Sequence, residues 1–138
     1  MNINDDVVKE LVSKAIDARE HAYAPYSEFL VGCAALGSDG KIYTGCNIEN
    51  VSYSATNCAE RTAIFKGVSA GCLSFEAIAI MGARKEEKPG LCYPCGVCRQ
   101  VLAEFSADEG LKIIIAKNIA EYKITTLDAL MPFAFVEF

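Results

Sequence analysis

The sequence has no tryptophan, only one histidine and only four prolines among its 138 residues. It is also short of positive charge, because 13 Lys and Arg stand against 18 Asp and Glu and give a net charge of −5. This balance is the reverse of the basic surface that binds a nucleic-acid backbone. No Gly-rich phosphate-binding loop is present either. These absences argue against nucleotides and polynucleotides and favour a small, weakly charged substrate.

Long apolar runs and linkers are also missing. Residues 1–10 contain Asp5, Asp6, Lys9 and Glu10, a pattern that fits neither a signal peptide nor a membrane span, so we expect a cytoplasmic protein with no membrane partner. Without a linker, low-complexity tract or repeat, residues 1–138 are interpreted as one domain. Hydrophobic residues make up 52% of the chain. This content indicates either contact between subunits or a well-packed monomer.

Cysteine, in contrast, is abundant, with seven residues. A reducing compartment keeps thiols free, and seven cysteines cannot all pair within one chain. We therefore expect thiolate ligands for a metal rather than a disulfide framework.

Helical and strand periodicities alternate along the chain and predict an α/β protein with a sheet between helices. Ser38, Asp39 and the flanking glycines form a turn signal that predicts an antiparallel hairpin. His21 falls inside the first predicted helix, away from the cysteine segments, and is not expected to bind metal. The predicted helices begin at Asn4 or Asp5 and stop before Pro25, then cover 58–68, 96–105 and 127–131; the predicted strands cover 29–36, 41–44, 75–81, 112–116 and 122–125.

Cysteines open the second and third predicted helices. A thiol at a helix N-terminus ionises more easily, and thiolate is the form that binds zinc. Cys95 and Cys98 have the C-x-x-C spacing that directs two sulfurs to one metal, and Cys58 could supply a third. Three protein ligands leave one position open for water, whose pKa zinc lowers. Glu60 would then handle the proton.

A closed structural zinc site is the alternative, with Cys92 or Cys46 as the fourth ligand. An acidic residue two positions after a ligand has no task in such a site, whereas hydrolysis needs a proton acceptor. Glu60 therefore favours catalysis.

The charge of the thiolates also needs compensation. Zn²⁺ with three thiolates carries a net −1, and Arg61, directly after Glu60, could hydrogen-bond the sulfurs. The alternative is that Arg61 and Arg99 form ordinary ion pairs elsewhere.

A polar segment follows the second predicted strand. Asn47 and Glu49 offer an amide and a carboxylate that could bind sugar hydroxyls, or they could simply belong to a polar loop. Phe29 could stack on a base or lie in the core, and periodicity does not separate these roles.

The motifs C-A-E-R at 58–61 and P-C-G-V-C-R-Q at 94–100 resemble the small, oligomeric cytidine deaminases. The similarity continues through 24–32, 45–50 and 130–132. It implies a three-layer α/β/α sandwich with a central mixed sheet of about five strands, and a homotetramer. It also implies zinc-dependent hydrolysis of cytidine and 2′-deoxycytidine to uridine and 2′-deoxyuridine plus ammonia.

The resemblance further implies a role for each matching residue. One Zn²⁺ per subunit would be held by Cys58, Cys95 and Cys98, with Glu60 as the proton shuttle. Asn47 and Glu49 would bind ribose, Phe29 would lie against the substrate, and the Ala59 N–H would contact the base. Tyr53 would lie near a neighbouring subunit's site.

The C-terminal segment departs from the family pattern. Relatives commonly have a small residue after the position of Pro132, where this chain has Phe133, and they continue into a longer acidic tail. Phe135 matches the aromatic residue that reaches toward the pyrimidine of an adjacent subunit. Bulky Phe133 is expected to alter its path.

Overall fold

The computed structural model describes residues 2–138. Alternating helices and strands follow the predicted order, with one added 3₁₀ turn. The helices are α1 (Asp5–Arg19), α2 (Ala59–Ser69), α3 (Gly96–Glu104) and α4 (Leu127–Leu130); the strands are β1 (Phe29–Gly37), β2 (Ile42–Cys46), β3 (Phe75–Arg84), β4 (Lys112–Ala116) and β5 (Tyr122–Thr126); the 3₁₀ turn is Tyr53–Ala55.

The five strands form one mixed sheet in the order β2-β1-β3-β4-β5. β3 and β4 are parallel, and the other neighbouring pairs are antiparallel. The mixed five-stranded sheet and the antiparallel β1–β2 hairpin are confirmed.

Side chains alternate across the sheet and divide the core into two layers. In β4, Ile113 and Ile115 join the apolar cluster that contains Ile64 of α2 and Leu102 of α3. Ile114 faces the opposite cluster, which includes the buried stripe of α1. The α/β/α sandwich is therefore confirmed, with α1 on one face of the sheet and α2 and α3 on the other.

The first helix is shorter than its apolar periodicity indicates. Asn4 caps it by accepting a hydrogen bond from the Val7 N–H at 3.0 Å. Its last residue, Arg19, donates to the carbonyls of Leu30 at 2.9 Å and Ala83 at 2.8 Å, which fixes the helix end against β1 and β3. The placement of His21 inside the helix was therefore wrong, because His21 lies in the exposed turn that follows.

One glycine allows α2 to approach the sheet closely. A Cβ atom on Gly45 of β2 would lie 2.5 Å from the backbone nitrogen of Ala63 and 2.7 Å from the carbonyl oxygen of Ala59. Both distances are shorter than side-chain packing allows. The glycine therefore fixes how near the N-terminus of α2 lies to the end of β2.

Among residues 2–138, no helix is long and apolar enough to span a bilayer.

Candidate active site

Two helix N-termini meet on the same face of the sheet, and each begins at a cysteine. Cys58 is the N-cap of α2 and Cys95 is the N-cap of α3, and neither thiol makes a capping hydrogen bond. Cys98 lies one turn into α3 and is buried. The two cap thiols thus remain available to a ligand.

The three thiols form one compact group. The Sγ atoms of Cys58, Cys95 and Cys98 all lie within 4.8 Å of one another, with Cys58 and Cys95 at 3.8 Å. A hydrogen bond from the Cys98 thiol, aided by Arg61, lowers the pKa of Cys58 to about 5. The same hydrogen bond raises the pKa of Cys98. The group therefore carries negative charge at neutral pH and suits a soft cation.

Arg61 reaches back from the first turn of α2 to this group. Its Nη2 lies 3.3 Å from the Cys58 sulfur. Its Nε is buried and has no hydrogen-bond partner among residues 2–138. The guanidinium thus faces the thiols, as the charge argument from the sequence predicts, and one buried donor is left over for further negative charge.

Glu60 is the acidic group beside the thiols. Its side chain is only 4% exposed, and burial raises its pKa to about 7. A carboxyl group with such a pKa can both accept and release a proton near neutral pH.

A cavity of about 340 Å³ opens above Glu60 and the thiols. Seven of the residues selected from the sequence line it: Phe29, Asn47, Glu49, Cys58, Ala59, Glu60 and Cys95. A larger cavity of about 550 Å³ lies between α3 and the C-terminal segment. Its lining contains neither cysteine nor histidine, so the chemistry belongs to the smaller cavity.

Asn47 is buried at the end of β2 and is already hydrogen-bonded to β1. Its Oδ1 accepts from the Val31 N–H at 2.9 Å, and its Nδ2 donates to the Phe29 carbonyl at 2.7 Å. These two bonds fix which way the amide faces. One N–H and one lone pair of the amide remain for a ligand.

Glu49 is held by the loop that precedes β1. The backbone N–H groups of Tyr26 and Ser27 donate to Oε1 at 3.0 and 3.1 Å, and the Ser27 hydroxyl donates to Oε2 at 2.5 Å. These hydrogen bonds lower the pKa of Glu49, and the bond from the Ser27 hydroxyl has the largest effect. The carboxylate is thus ionised and oriented at the edge of the cavity.

Two selected aromatic residues lie outside the cavity. Tyr53 is 78% exposed and packs edge-on against Tyr26, with ring centroids 6.3 Å apart. Phe135 is 62% exposed and packs edge-on against Phe138. Neither side chain lines the catalytic cavity of its own chain.

Comparison with known proteins identifies the family. Residues 6–113 match the model of the cytidine and deoxycytidylate deaminase zinc-binding region. Over 128 residues the chain is 48% identical to a cytidine deaminase of Sporosarcina psychrophila, covering 93% of this chain and 90% of the relative. It is 46% identical to a cytidine deaminase of Halalkalibacterium halodurans, covering 91% of both chains.

The chain belongs to the cytidine and deoxycytidylate deaminase family. Its reaction is the hydrolytic deamination of cytidine, a small-molecule nucleoside. Solved structures agree with this assignment. A cytidine deaminase from Burkholderia pseudomallei has a TM-score of 0.81 at 43% identity, over 91% of this chain and 97% of that one. A cytidine deaminase from Mycobacterium tuberculosis has a TM-score of 0.78 at 39% identity, covering 93% of this chain and 96% of that one.

Zinc is the cofactor of this deaminase family, and the donor set fits it. Three converging sulfurs, one of them already ionised, match the preference of Zn²⁺ for thiolates and leave a tetrahedral position open. Within the described residues 2–138, no fourth His, Cys, Asp or Glu joins the group. Cys92 lies in the cavity wall outside the group, so the closed four-cysteine site is not formed.

Sequence reasoning missed several residues that line the deaminase cavity: Ser27, Val31, Thr56, Asn57 and Tyr93. Cys92, which it considered only as the fourth ligand of a closed site, lines the cavity too. Ser27 and Val31 lie inside the segment 24–32 that carries the resemblance, and Cys92 and Tyr93 directly precede Pro94. Proximity to the motifs was therefore the one sequence feature that could have indicated these cavity residues. The contacts themselves depend on tertiary structure.

Proposed function

We propose that Glu60 is the catalytic proton shuttle for the deamination of cytidine to uridine and ammonia. The observation that carries this proposal is a buried carboxyl group, with its pKa raised to about 7, beside a group of three thiols. Cys58, Cys95 and Cys98 would hold one Zn²⁺ per subunit. Zn²⁺ held there supplies the acidity that makes hydroxide available near neutral pH.

The carboxylate of Glu60 would take one proton from the attacking water and deliver it to N3 of the cytosine ring. The oxygen of that water bonds to C4. Glu60 then passes the second proton to the amino group, which leaves as ammonia while the carbonyl of uridine forms. The water supplies both protons and the oxygen, so no other reactant is needed.

The remaining cavity residues would bind the nucleoside. The Ala59 N–H lies in the first turn of α2, where backbone donors have no helical acceptor, and would contact the base. Asn47 and Glu49 would bind ribose hydroxyls through the acceptor and donor positions they retain, and Phe29 would lie against the substrate. Arg61 would offset the charge of the thiolates.

Substitution of Glu60 tests the proposal directly. We expect Glu60→Gln to retain zinc, measured by metal analysis, and to lose deamination by about 10²- to 10⁴-fold. Glu104→Gln, at the exposed end of α3, is the matched control and should behave like the wild type. A zinc-loaded Glu60→Gln variant that remains fully active would refute the shuttle.

The substrate range is also part of the proposal. We expect 2′-deoxycytidine to be deaminated as well as cytidine, and free cytosine to be a poor substrate because it offers nothing to Asn47 and Glu49. Loss of the cytosine chromophore measures all three rates. Faster turnover of free cytosine than of cytidine would instead favour a deaminase for another cytosine-bearing compound.

The assembly is proposed to be a homotetramer, with Tyr53 and Phe135 completing the site of a neighbouring subunit. The support is the exposure of both aromatic side chains outside their own cavity. Sedimentation that gives a stable, active monomer would contradict the assembly.

A cytoplasmic location is proposed because all seven cysteines are free thiols, and cell fractionation tests it.

A further inference from the structure

The Ser27 hydroxyl links two of the proposed substrate-binding residues. It donates to Oε2 of Glu49 at 2.5 Å and accepts from the backbone N–H of Phe29 at 3.0 Å. A serine hydroxyl has only one proton to donate, so this donor is fully used by Glu49. The Ser27 side chain thereby joins Glu49, the proposed ribose ligand, to Phe29, the first residue of β1.

The hydrogen bonds to Glu49 leave it a defined binding capacity. Oε1 already accepts two backbone N–H groups, from Tyr26 and Ser27, which fill its two lone pairs. Oε2 accepts only the Ser27 hydroxyl and retains one lone pair. The carboxylate therefore offers one acceptor position, and the Ser27 hydroxyl determines where it points.

The loop that carries Ser27 is conformationally strained. Glu28 has φ 59°, in the left-handed region that is unfavourable for a residue with a side chain, and its N–H donates to the Ala24 carbonyl. Such a turn persists only where surrounding contacts hold it. The bonds from Ser27 to Glu49 and Phe29 are those contacts on the cavity side.

We propose that Ser27 is a positioning residue for ribose recognition, which holds the Glu49 carboxylate and the start of β1 in their binding geometry. The inference rests on the proposed role of Glu49 as a ribose ligand. Ser27 acts through Glu49, away from the atoms that react. Its loss therefore weakens nucleoside binding more than it slows the chemical step.

The first experiment compares kcat and KM for cytidine across three variants. Ser27→Ala is expected to raise KM by about tenfold with kcat within about twofold of the wild type. Ser27→Thr keeps the hydroxyl and should restore most of the affinity. Ser69→Ala, at the exposed end of α2, is the control and should leave both constants unchanged. If Ser27→Ala does not fold, Ser27→Cys, which keeps the size but donates weakly, gives the same comparison.

The second experiment tests whether Ser27 acts through Glu49. In a Glu49→Ala background, adding Ser27→Ala should raise KM no further, because the group it positions is gone. With 2′-deoxycytidine and 3′-deoxycytidine, the penalty of Ser27→Ala should disappear for the substrate that lacks the hydroxyl bound by Glu49.

The outcomes separate the two claims. If Glu49→Ala raises KM but Ser27→Ala does not, or if the Ser27 penalty persists in full without Glu49, the positioning role is overturned. If Glu49→Ala itself leaves KM unchanged, the proposed ribose contact fails, and this inference fails with it.

Discussion

Two adjacent residues, Glu60 and Arg61, face the same thiols with opposite charge. Burial raises the pKa of the Glu60 carboxyl, whereas Arg61 helps to lower the pKa of Cys58. The sequence C-A-E-R thus places a carboxyl group, a thiol and a guanidinium within one helical turn, and we propose them as proton acceptor, metal ligand and compensating cation. This compactness explains why local spacing was sufficient to propose a role for each of the three residues.

Arg61→Gln is expected to weaken zinc binding. Without the guanidinium, the pKa of Cys58 rises and more protons compete with the metal at neutral pH. We expect about a 10- to 100-fold loss of zinc affinity, measured by competition with a chromogenic chelator. Arg84→Gln, at the exposed end of β3, is the control. Unchanged zinc affinity in Arg61→Gln would show that its contact with Cys58 is incidental.

Tyr43 predicts a pH dependence of stability far from the cavity. Its hydroxyl donates to Asp39 at 2.6 Å, and this bond raises the pKa of Tyr43 to about 12. A raised pKa means that the stabilisation is complete below the ordinary value of 10.0 and is lost as pH rises toward 12. Tyr43→Phe should therefore be less stable below pH 10 and should lose less stability between these pH values. Urea unfolding at several pH values measures the free energy of unfolding and how much of it is lost between pH 10 and pH 12. We expect the exposed control Tyr23→Phe to lose as much as the wild type. The same loss in Tyr43→Phe would contradict the assignment.

Other residues of the site could not be predicted from spacing alone. The partners of Asn47 and Glu49 lie 16 to 23 residues away in the chain. For these two residues, only the family resemblance favoured ribose binding over a polar loop. Ser27 was not selected because a serine in a turn has no distinctive pattern. Its importance becomes visible only when its two hydrogen bonds are known.

At the scale of elements, long-range pairing decided what periodicity could not. Ala22 fits the apolar pattern of α1, yet the helix ends at Arg19, whose guanidinium anchors it to β1 and β3, and Tyr23 already pairs with Ile48. β3 extends to Arg84, three residues beyond its predicted end, because its last residues pair with the start of β1. The elements and their order were predictable, but their ends depended on partners distant in sequence.

The close contact between β2 and α2 gives a prediction at this scale. Gly45→Ala would force a Cβ atom against the backbone of Ala59 and Ala63, where no side chain can yield. We expect the free energy of unfolding to fall by about 1 to 3 kcal/mol and deamination to fall as well, because Cys58 and Glu60 move with α2. Gly90→Ala, which meets nothing within 4 Å, is the control. Equal stability of the two variants, measured by urea unfolding, would contradict the close approach.

At the scale of the whole molecule, the proposed metal ligands lie at the starts of two helices that the sheet brings together. Zinc would therefore bind the native state much better than the unfolded chain, and removing it should destabilise the whole fold. We expect chelation to lower the melting temperature by about 10 °C and re-addition of zinc to restore it. Cys46→Ser, outside the thiol group, should keep this response, whereas Cys58→Ser should lose it. An identical melting temperature with and without chelator would exclude a stabilising metal.

The two cysteine segments also impose an order on folding. Cys58 follows β2, whereas Cys95 follows β3, and the sulfurs converge only after β3 has paired with β1. A partly folded chain therefore has no complete ligand set, and it gains one only when the central strands are in register. The rate of zinc uptake during refolding is therefore expected to report when β1 and β3 pair at the centre of the sheet.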